Sequence, residues 1–537
     1  MELIHQIRGY VMPLVVALAI GSVLLGSWVS SGFYVGLLIL GPLILLGFYD
    51  LSQSAHSITR NYPILGHMRF LLEGAGPELH QYFVESNTSG RPFDRDQRSL
   101  MYQRAKDIEG LKPFGTELDV YAPGYGYISQ SVAPRPLIED PARSLRVDVG
   151  GPECKQPYSA SLLNVSAMSF GALSSNAILA INTGAKLGGF AHNTGEGGFS
   201  RYHREPGADI IWQIGTGYFG CRNTNGSFDA EMFAEQASVE QVKMIELKIS
   251  QGAKPGHGGI LPGIKVTQEI ADARKVPVGV DCFSPPGHST FSTPTGLLEF
   301  IATLRERSGG KPVGFKICIG APREFFSICK AMLETGITPD FITVDGAEGG
   351  TGAAPIEFSN HLGVPLREGL IVVHNALVGI GLRDKLRIAA SGKRISSYEF
   401  ATAMALGANW CNIARGFMFS VGCIQSQSCH THRCPVGVAT QDARLQRALV
   451  VEDKAQRVYN FHRNTVHGLA EMTAACGLDH PNDFGPDQVF ERISPHEVPR
   501  LDQLYQFCQP GEILEGQAAP ILQKAWDEAS PNSFGRS

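Results

Sequence analysis

Two long apolar runs open the chain, and a rhythm of short ones follows. Tyr10 to Val29 carries no charged residue, Ser30-Ser31-Gly32 interrupts it, and Phe33 to Tyr49 is apolar again. Each run is close to the ~20 residues a helix needs to cross a bilayer. Trp28, Tyr34 and Tyr49 fall where interfacial aromatics sit. A secretory signal fits poorly, because Glu2 precedes a single nearby arginine, Arg8, and a second apolar run follows at once. A buried helical hairpin is the other reading of such runs. The expectation is two membrane spans, residues 10–29 and 33–49, with Arg8 and Arg60 holding both flanks on the cytoplasmic side.

Residues 51–120 are polar and mixed, and read as a helical linker. Met68–Leu72 and Leu79–Val84 suggest short amphipathic helices. Arg91 to Arg104 is rich in arginine but alternates with acids, as a solvated face does. From Leu162 short apolar runs alternate with helical patterns. The strands expected are Leu163–Met168, Phe190–Asn193, Met244–Ile249, Val276–Val280, Val313–Ile319, Phe341–Val344, Leu386–Ala390 and Trp410–Ile413. Helical stretches at Pro294–Glu306, Glu324–Thr335 and Ser397–Gly407 lie between the later ones. Strands alternating with helices imply a parallel sheet. Eight units over about 260 residues match an α/β (β/α)8 TIM barrel. A doubly wound sheet is the alternative, but no G-x-G-x-x-G turn follows the first strand. The barrel domain is placed at 121–480, and 481–537 forms a C-terminal extension with Ile513–Trp526 as a closing helix.

Composition narrows the class. The chain has 537 residues and a net charge of −5 with both signs interspersed, which offers no electrostatic case for nucleic acid. Eleven cysteines without regular spacing do not form a disulfide framework and suit a reducing compartment.

Polar, glycine-rich motifs fall at the carboxyl ends of the expected strands, where barrel chemistry sits. SFGALS, NTGEGG, SQGAKPGHGG, DGAEGGTGAAP, SGKR and ARG occur in that order. Glycine lets backbone N–H groups approach a phosphate closely. Ser391, Gly392 and Lys393 supply one half of such a cup, and Ala414, Arg415 and Gly416 the other. Asp345, Gly346, Gly349 and Gly350 lie beside them. Together, in that order along a barrel, these loops favour FMN. Lys316, in GFKICIG, is an inward cation that would stabilise the negative charge of a reduced flavin. Lys248, Gln251 and Lys254, spaced by three, with Arg274 beyond them, would hold the carboxylates of a 2-oxo acid through charge-assisted bonds. Glu196, in NTGEGG, adds an acid that would position an amine. Cys423, Cys429 and Cys434 lie in one loop at 422–441, and soft sulfur ligands favour zinc, copper(I) or iron–sulfur clusters. Three thiolates without a fourth suit one sulfur ligand per iron in a three-iron cluster. Incidental cysteines are the alternative.

CIQSQSCHTHRCPVGVATQ resembles the cluster loop of the glutamate synthase family, and the upstream motifs are similar to its FMN-binding synthase domain, from about Pro123 to about Leu478. The resemblance implies FMN, a [3Fe–4S] cluster on Cys423, Cys429 and Cys434, and Ser169 running against the flavin ring. It also implies catalytic roles for Glu196 and Lys254, with Lys248, Gln251 and Arg274 around 2-oxoglutarate. The activity implied is reductive amination of a 2-oxo acid with ammonia to glutamate. The partners implied are an external electron donor (a ferredoxin or a reductase subunit) and a separate glutaminase, on a multi-pass membrane protein whose catalytic domain faces the cytoplasm. Met1-Glu2 runs straight into an apolar span, so a stand-alone synthase domain without the glutaminase nucleophile is expected. Two departures stand out: Ile260 replaces a glutamine that helps hold substrate, and Thr295 replaces an acidic residue at the ammonia entry. They motivate two further readings: an enzyme for another amine or oxo acid, and a membrane electron-transfer flavoprotein subunit without amination.

Overall fold

The computed structural model describes residues 2–535, with side chains from Tyr10 onward. Met1 and the Arg8 side chain, used above for orientation, lie outside the described set. The chain divides into two compact units, Met1–Asp94 and Arg95–Ser537.

In the first unit, α1 (Glu2–Trp28) and α2 (Leu37–Ser52) are joined by a 3-10 turn at Ser31–Gly36. The Ser30 hydroxyl caps that turn by accepting from the Gly32 N–H. Tyr10–Trp28 and Ser31–Ser52 have mean hydropathies of 2.1 and 2.0, so two helices are long and apolar enough to cross a membrane. Polar character returns in the last turn of α2. Asp50 is fully buried; it accepts from the Ile64 N–H at 2.9 Å and hydrogen-bonds His67 Nε2 at 2.8 Å. The two short helices expected near residues 68–84 are one continuous run. It comprises α3 (His67–Leu79) and a π-helical turn at His80–Val84.

The second unit is a closed barrel of eight parallel strands. They are β1 (Leu163–Val165), β2 (His192–Asn193), β3 (Ile210–Ile214), β4 (Val242–Lys248), β5 (Val313–Ile317), β6 (Phe341–Asp345), β7 (Arg387–Ser391) and β8 (Trp410–Ile413). The sheet closes where β8 pairs with β1, Asn412 opposite Asn164. Strands buried on both faces read as unbroken apolar runs, and every residue of β3 and β6 is buried.

One expected strand is corrected. Val276–Val280 forms no strand: it follows the short helix Gln268–Arg274 through Lys275 in a left-handed conformation, and Val278 and Val280 are half exposed. Pro277 removes a ladder donor in that segment. The missing barrel strand is β3. The closing helix is also shorter than expected, Pro520–Asp527. Gly516, at φ 71°, breaks the segment, Pro520 sets the helix start, and Ile513 instead donates its N–H to the Gly379 carbonyl.

A buried carboxylate organises the barrel interior. Glu246 on β4 is 1% exposed and accepts from Asn193 (2.8 Å), Gln213 (2.7 Å) and Thr343 (2.6 Å), on β2, β3 and β6. Asn193 in turn accepts from the Gly195 N–H, fixing the start of the loop that carries Glu196. A buried charge is tolerated when its lone pairs are so occupied.

Candidate active site

The loops after β1, β2, β4 and β6 converge at the carboxyl end of the barrel. Lys248 ends β4 and places its ammonium 3.0 Å from Glu196 Oε2, both groups largely buried. His288, in the SPPGHSTF stretch, bonds the Lys248 carbonyl through Nε2 at 2.8 Å and meets the Tyr218 hydroxyl through Nδ1 at 3.0 Å. Burial holds the His288 imidazole near 4, so it is neutral and fixes the backbone of Lys248 without adding charge. Burial pushes the Glu196 carboxyl upward, but the Lys248 ammonium, helped by Arg274 and Lys254, holds it below the ordinary carboxylate value. Lys254 is 2% exposed and donates to the Ala353 carbonyl at 3.0 Å. Burial brings its ammonium down to about 8, against the opposing pull of Glu196.

Glycines leave the room these groups occupy. A methyl on Gly259 would stand 2.2 Å from Glu196 Oε1, and one on Gly197 would stand 2.7 Å from the Ser169 Cβ and 2.8 Å from Arg274 Nη2. Arg274 donates to the Phe170 carbonyl at 3.2 Å and lies over the Phe219 ring. Its Nε, like Nε2 of Gln251, is buried without a hydrogen-bond partner. Buried donors of this kind are costly unless something accepts from them, so both fit a polar ligand. Ser169, Glu196, Lys248, Lys254 and Arg274 thus share one region of the mouth.

The loops after β6, β7 and β8 form the second half. Lys316 Nζ lies 3.3 Å from Asp345 Oδ2, and the same oxygen accepts from the Gly252 N–H at 2.7 Å. A methyl on Gly252 would come within 1.7 Å of the Gly346 carbonyl, so the β4 and β6 loops touch backbone to backbone. Arg415 donates to the Glu348 carbonyl at 2.9 Å, and its Nε would lie 2.9 Å from a methyl on Gly350. Burial lowers the Arg415 guanidinium to about 10, with Asp345 and Glu348 opposing, so it remains a cation. Gly392 sits at φ 146°, with Gly346 and Leu366 the nearest atoms to any added Cβ. Lys393 follows with φ 30°, and the Ser391 hydroxyl meets Ser166 at 3.3 Å. Gly349 approaches the Gly346 carbonyl, and Gly416, next to Ala414 and Arg415, packs on Phe461. Arg394, directly after the SGK triplet, was missed: it lies 3.6 Å from Glu348 and its buried Nε has no partner. Backbone this close, with cations around it, is the form an anion cradle takes, and it fits a flavin phosphate.

The cysteine loop follows β8. Cys434 is buried and Cys423 and Cys429 are half-buried. The Cys423 carbonyl accepts from the Tyr102 hydroxyl at 2.6 Å, from a helix (Arg95–Ala105) in which the sequence showed no chemistry. Burial, with Cys429 and Cys434 nearby, pushes the Cys423 thiol up to about 12. Gln425, Gln427 and His432 all have left-handed φ, a conformation uncommon outside glycine and held only where the surroundings enforce it. Among the described residues no three His, Cys, Asp or Glu side chains converge on one ion position. A three-iron cluster takes one thiolate per iron, and the three cysteines of this loop supply that donor set.

The two residues that departed from the expected pattern are also placed. Ile260 pairs with Phe283 in a small antiparallel ribbon. Thr295 gives both its N–H and its hydroxyl to the Pro531 carbonyl, so the C-terminal tail occupies it.

The family description "Conserved region in glutamate synthase" matches residues 152–479, the span that holds every residue of this site. The chain belongs to the glutamate synthase family. The glutamate synthase large subunit-like protein YerD of Bacillus subtilis is 40% identical over 513 residues, covering 88% of this chain and 97% of that one. An archaeal-type glutamate synthase [NADPH] of Thermotoga is 35% identical over 333 residues, 62% of each chain, and that of Archaeoglobus fulgidus is 37% identical over 316 residues, 58% of each. A solved mandelate oxidase variant with an FMN adduct aligns with 81% of the chain at 13% identity and a TM-score of 0.40, too distant to bear on function. This chain is therefore a glutamate synthase-like oxidoreductase built on a (β/α)8 barrel.

Proposed function

We propose that this family member is a membrane-anchored flavoenzyme that aminates a 2-oxo acid reductively, with 2-oxoglutarate and ammonia giving glutamate. Residues 1–50 act as its anchor and the barrel faces the cytoplasm. The observation that carries this reading is the Glu196–Lys248 pair, flanked by Lys254 and by unpartnered donors on Arg274 and Gln251, beside the glycine cradle. FMN held by the β6, β7 and β8 loops would supply hydride, and a [3Fe–4S] cluster on Cys423, Cys429 and Cys434 would bring electrons from an external donor, a ferredoxin or reductase subunit.

The chain's own residues do the rest. Arg274, Gln251 and Lys248 hold the carboxylates of the oxo acid. Glu196, held below the ordinary carboxylate value by Lys248, accepts a hydrogen bond from incoming ammonia and aims the nitrogen lone pair at the 2-carbon. The nitrogen gives up its surplus proton to solvent once the C–N bond has formed. Lys254, poised near 8, donates a proton to the departing oxygen as water leaves. Lys316, anchored on Asp345, keeps a cation beside the ring. Ile260 favours a second reading on substrate, because an apolar side chain withdraws a hydrogen-bond partner and weakens discrimination for a carboxylate.

The test is an anaerobic assay of the detergent-solubilised protein with 2-oxoglutarate, ammonium and an artificial reductant. Glutamate formation well above the flavin-free rate is expected. A flavin-free rate with every 2-oxo acid tried would overturn amination and leave electron transfer. Conversion of a different oxo acid would select the second reading.

A further inference from the structure

Lys265 lies in a 3-10 turn, Gly263–Lys265, after the GHGGILPG motif, and is 3% exposed. Its ammonium donates to the Ala439 carbonyl at 2.8 Å and faces the Ala172 carbonyl at 3.4 Å. Ala439 is in the cysteine loop, five residues past Cys434, and Ala172 is in the β1 loop, three residues past Ser169. Among the described residues, no carboxylate forms an ion pair with it. A buried ammonium costs several kcal/mol when nothing of opposite charge offsets it. Burial lowers the pKa of this one, and the sulfurs of Cys429 and Cys434 act against that burial.

The two loops that Lys265 spans are otherwise joined by neutral bonds. Gln441 Nε2 donates to the Gly171 and Leu173 carbonyls at 3.1 and 2.9 Å, and the Ser174 N–H donates to the Val438 carbonyl at 2.9 Å. Lys265 adds a charge that bonds to both loops, and it reaches in from a third loop on the substrate side.

We infer that Lys265 is a positioning residue that supplies the counter-charge of the cysteine loop and pins it to the loop bearing Ser169, raising the reduction potential of the centre the three sulfurs hold. This rests on the cluster reading above. A fixed cation beside an anionic centre favours the state with one more electron, so its removal makes the one-electron couple harder to reduce.

The test uses the full-length protein in detergent: iron and sulfide content, then electron paramagnetic resonance during a dithionite titration. In Lys265→Met the reduction equilibrium should fall by at least tenfold, a shift of about 59 mV to lower potential for one electron, while Lys265→Arg stays near the parent. Loss of iron from Lys265→Met but not from Lys265→Arg would also support the counter-charge. An unchanged potential in a loaded Lys265→Met, or equal loss of iron from both variants, would overturn it. Absence of iron and sulfide from the parent would instead overturn the cluster reading itself.

Discussion

The two sides of the barrel mouth are assembled by opposite means. On the β2 and β4 side, the charges are already set against one another: Glu196 meets Lys248 at 3.0 Å, and His288 steadies Lys248 from behind. On the β6, β7 and β8 side, shape comes from backbone packed on backbone, as at Gly252 against Gly346, and from cations such as Arg394 with a donor still unused. Both sides keep unused donors, on Arg274 and Gln251 in the first and on Arg394 in the second. The first, however, is centred on an acid set against a lysine, while the second is shaped by backbone. Side-chain changes should therefore strip chemistry from the first while leaving flavin in place, and backbone changes should empty the second.

The sharpest break is Glu196→Gln. It keeps size but removes the charge that the proposed reaction uses to orient ammonia, and leaves the Lys248 ammonium buried without its partner. Turnover should fall by about 10²- to 10⁴-fold with the flavin absorbance unchanged. Loss of flavin in parallel would show that the two sides are not separable. Next comes Gly252→Ala. Its methyl has no space beside the Gly346 carbonyl, and forcing a group into packed structure costs about 1–3 kcal/mol. FMN retention after dialysis should drop in proportion, roughly 5- to 150-fold in affinity. Unchanged retention would place the cofactor away from the β4–β6 contact.

Lys254 sharpens the contrast through pH. Its ammonium loses its proton near 8 in the folded protein, because burial disfavours the charge. Below pH 8 the lysine is charged in both folded and unfolded chains, and the burial cost is borne in full. Between 8 and its ordinary value of 10.5, only the unfolded chain holds the proton, so this group's contribution to stability rises with pH. In the proposed reaction the protonated form donates to the leaving oxygen, so activity should move the other way: kcat should fall by about tenfold per pH unit well above the inflection near 8. In Lys254→Met that inflection should vanish from the pH profile.

How much of this was readable in advance follows from where each signal lies. The strands β5, β6 and β8 stood out as compact apolar runs, and the site loops stood out because glycine clusters mark close backbone approach. Ile210–Ile214 was passed over while Val276–Val280 was chosen, although Pro277 argues against a strand and IIWQI has the continuous burial of a central one. The Glu246 network was invisible, since Asn193, Gln213, Glu246 and Thr343 sit on four strands far apart in sequence. Lys265 carried no motif; only the fold brings it to Ala439. Spacing gave the three cysteines as a set but not the strained turns between them.

The mildest change bears on which acid the paired side accepts. Ile260 stands at the edge of a two-residue ribbon opposite Phe283, close in sequence to Gly258 and Gly259, which pack on Ser284 and Glu196. Placing an amide there, Ile260→Gln, adds a donor beside Gly259, which faces Glu196, without altering the Glu196–Lys248 pair. A new hydrogen bond to a carboxylate contributes about 1.5–3 kcal/mol at most, and partial exposure reduces that. KM for 2-oxoglutarate should drop by about threefold to tenfold, with kcat little changed and monocarboxylic oxo acids unaffected. An equal gain for monocarboxylic acids would place the amide on the shared carboxylate instead of the distal one, and no gain would put Ile260 outside the pocket altogether.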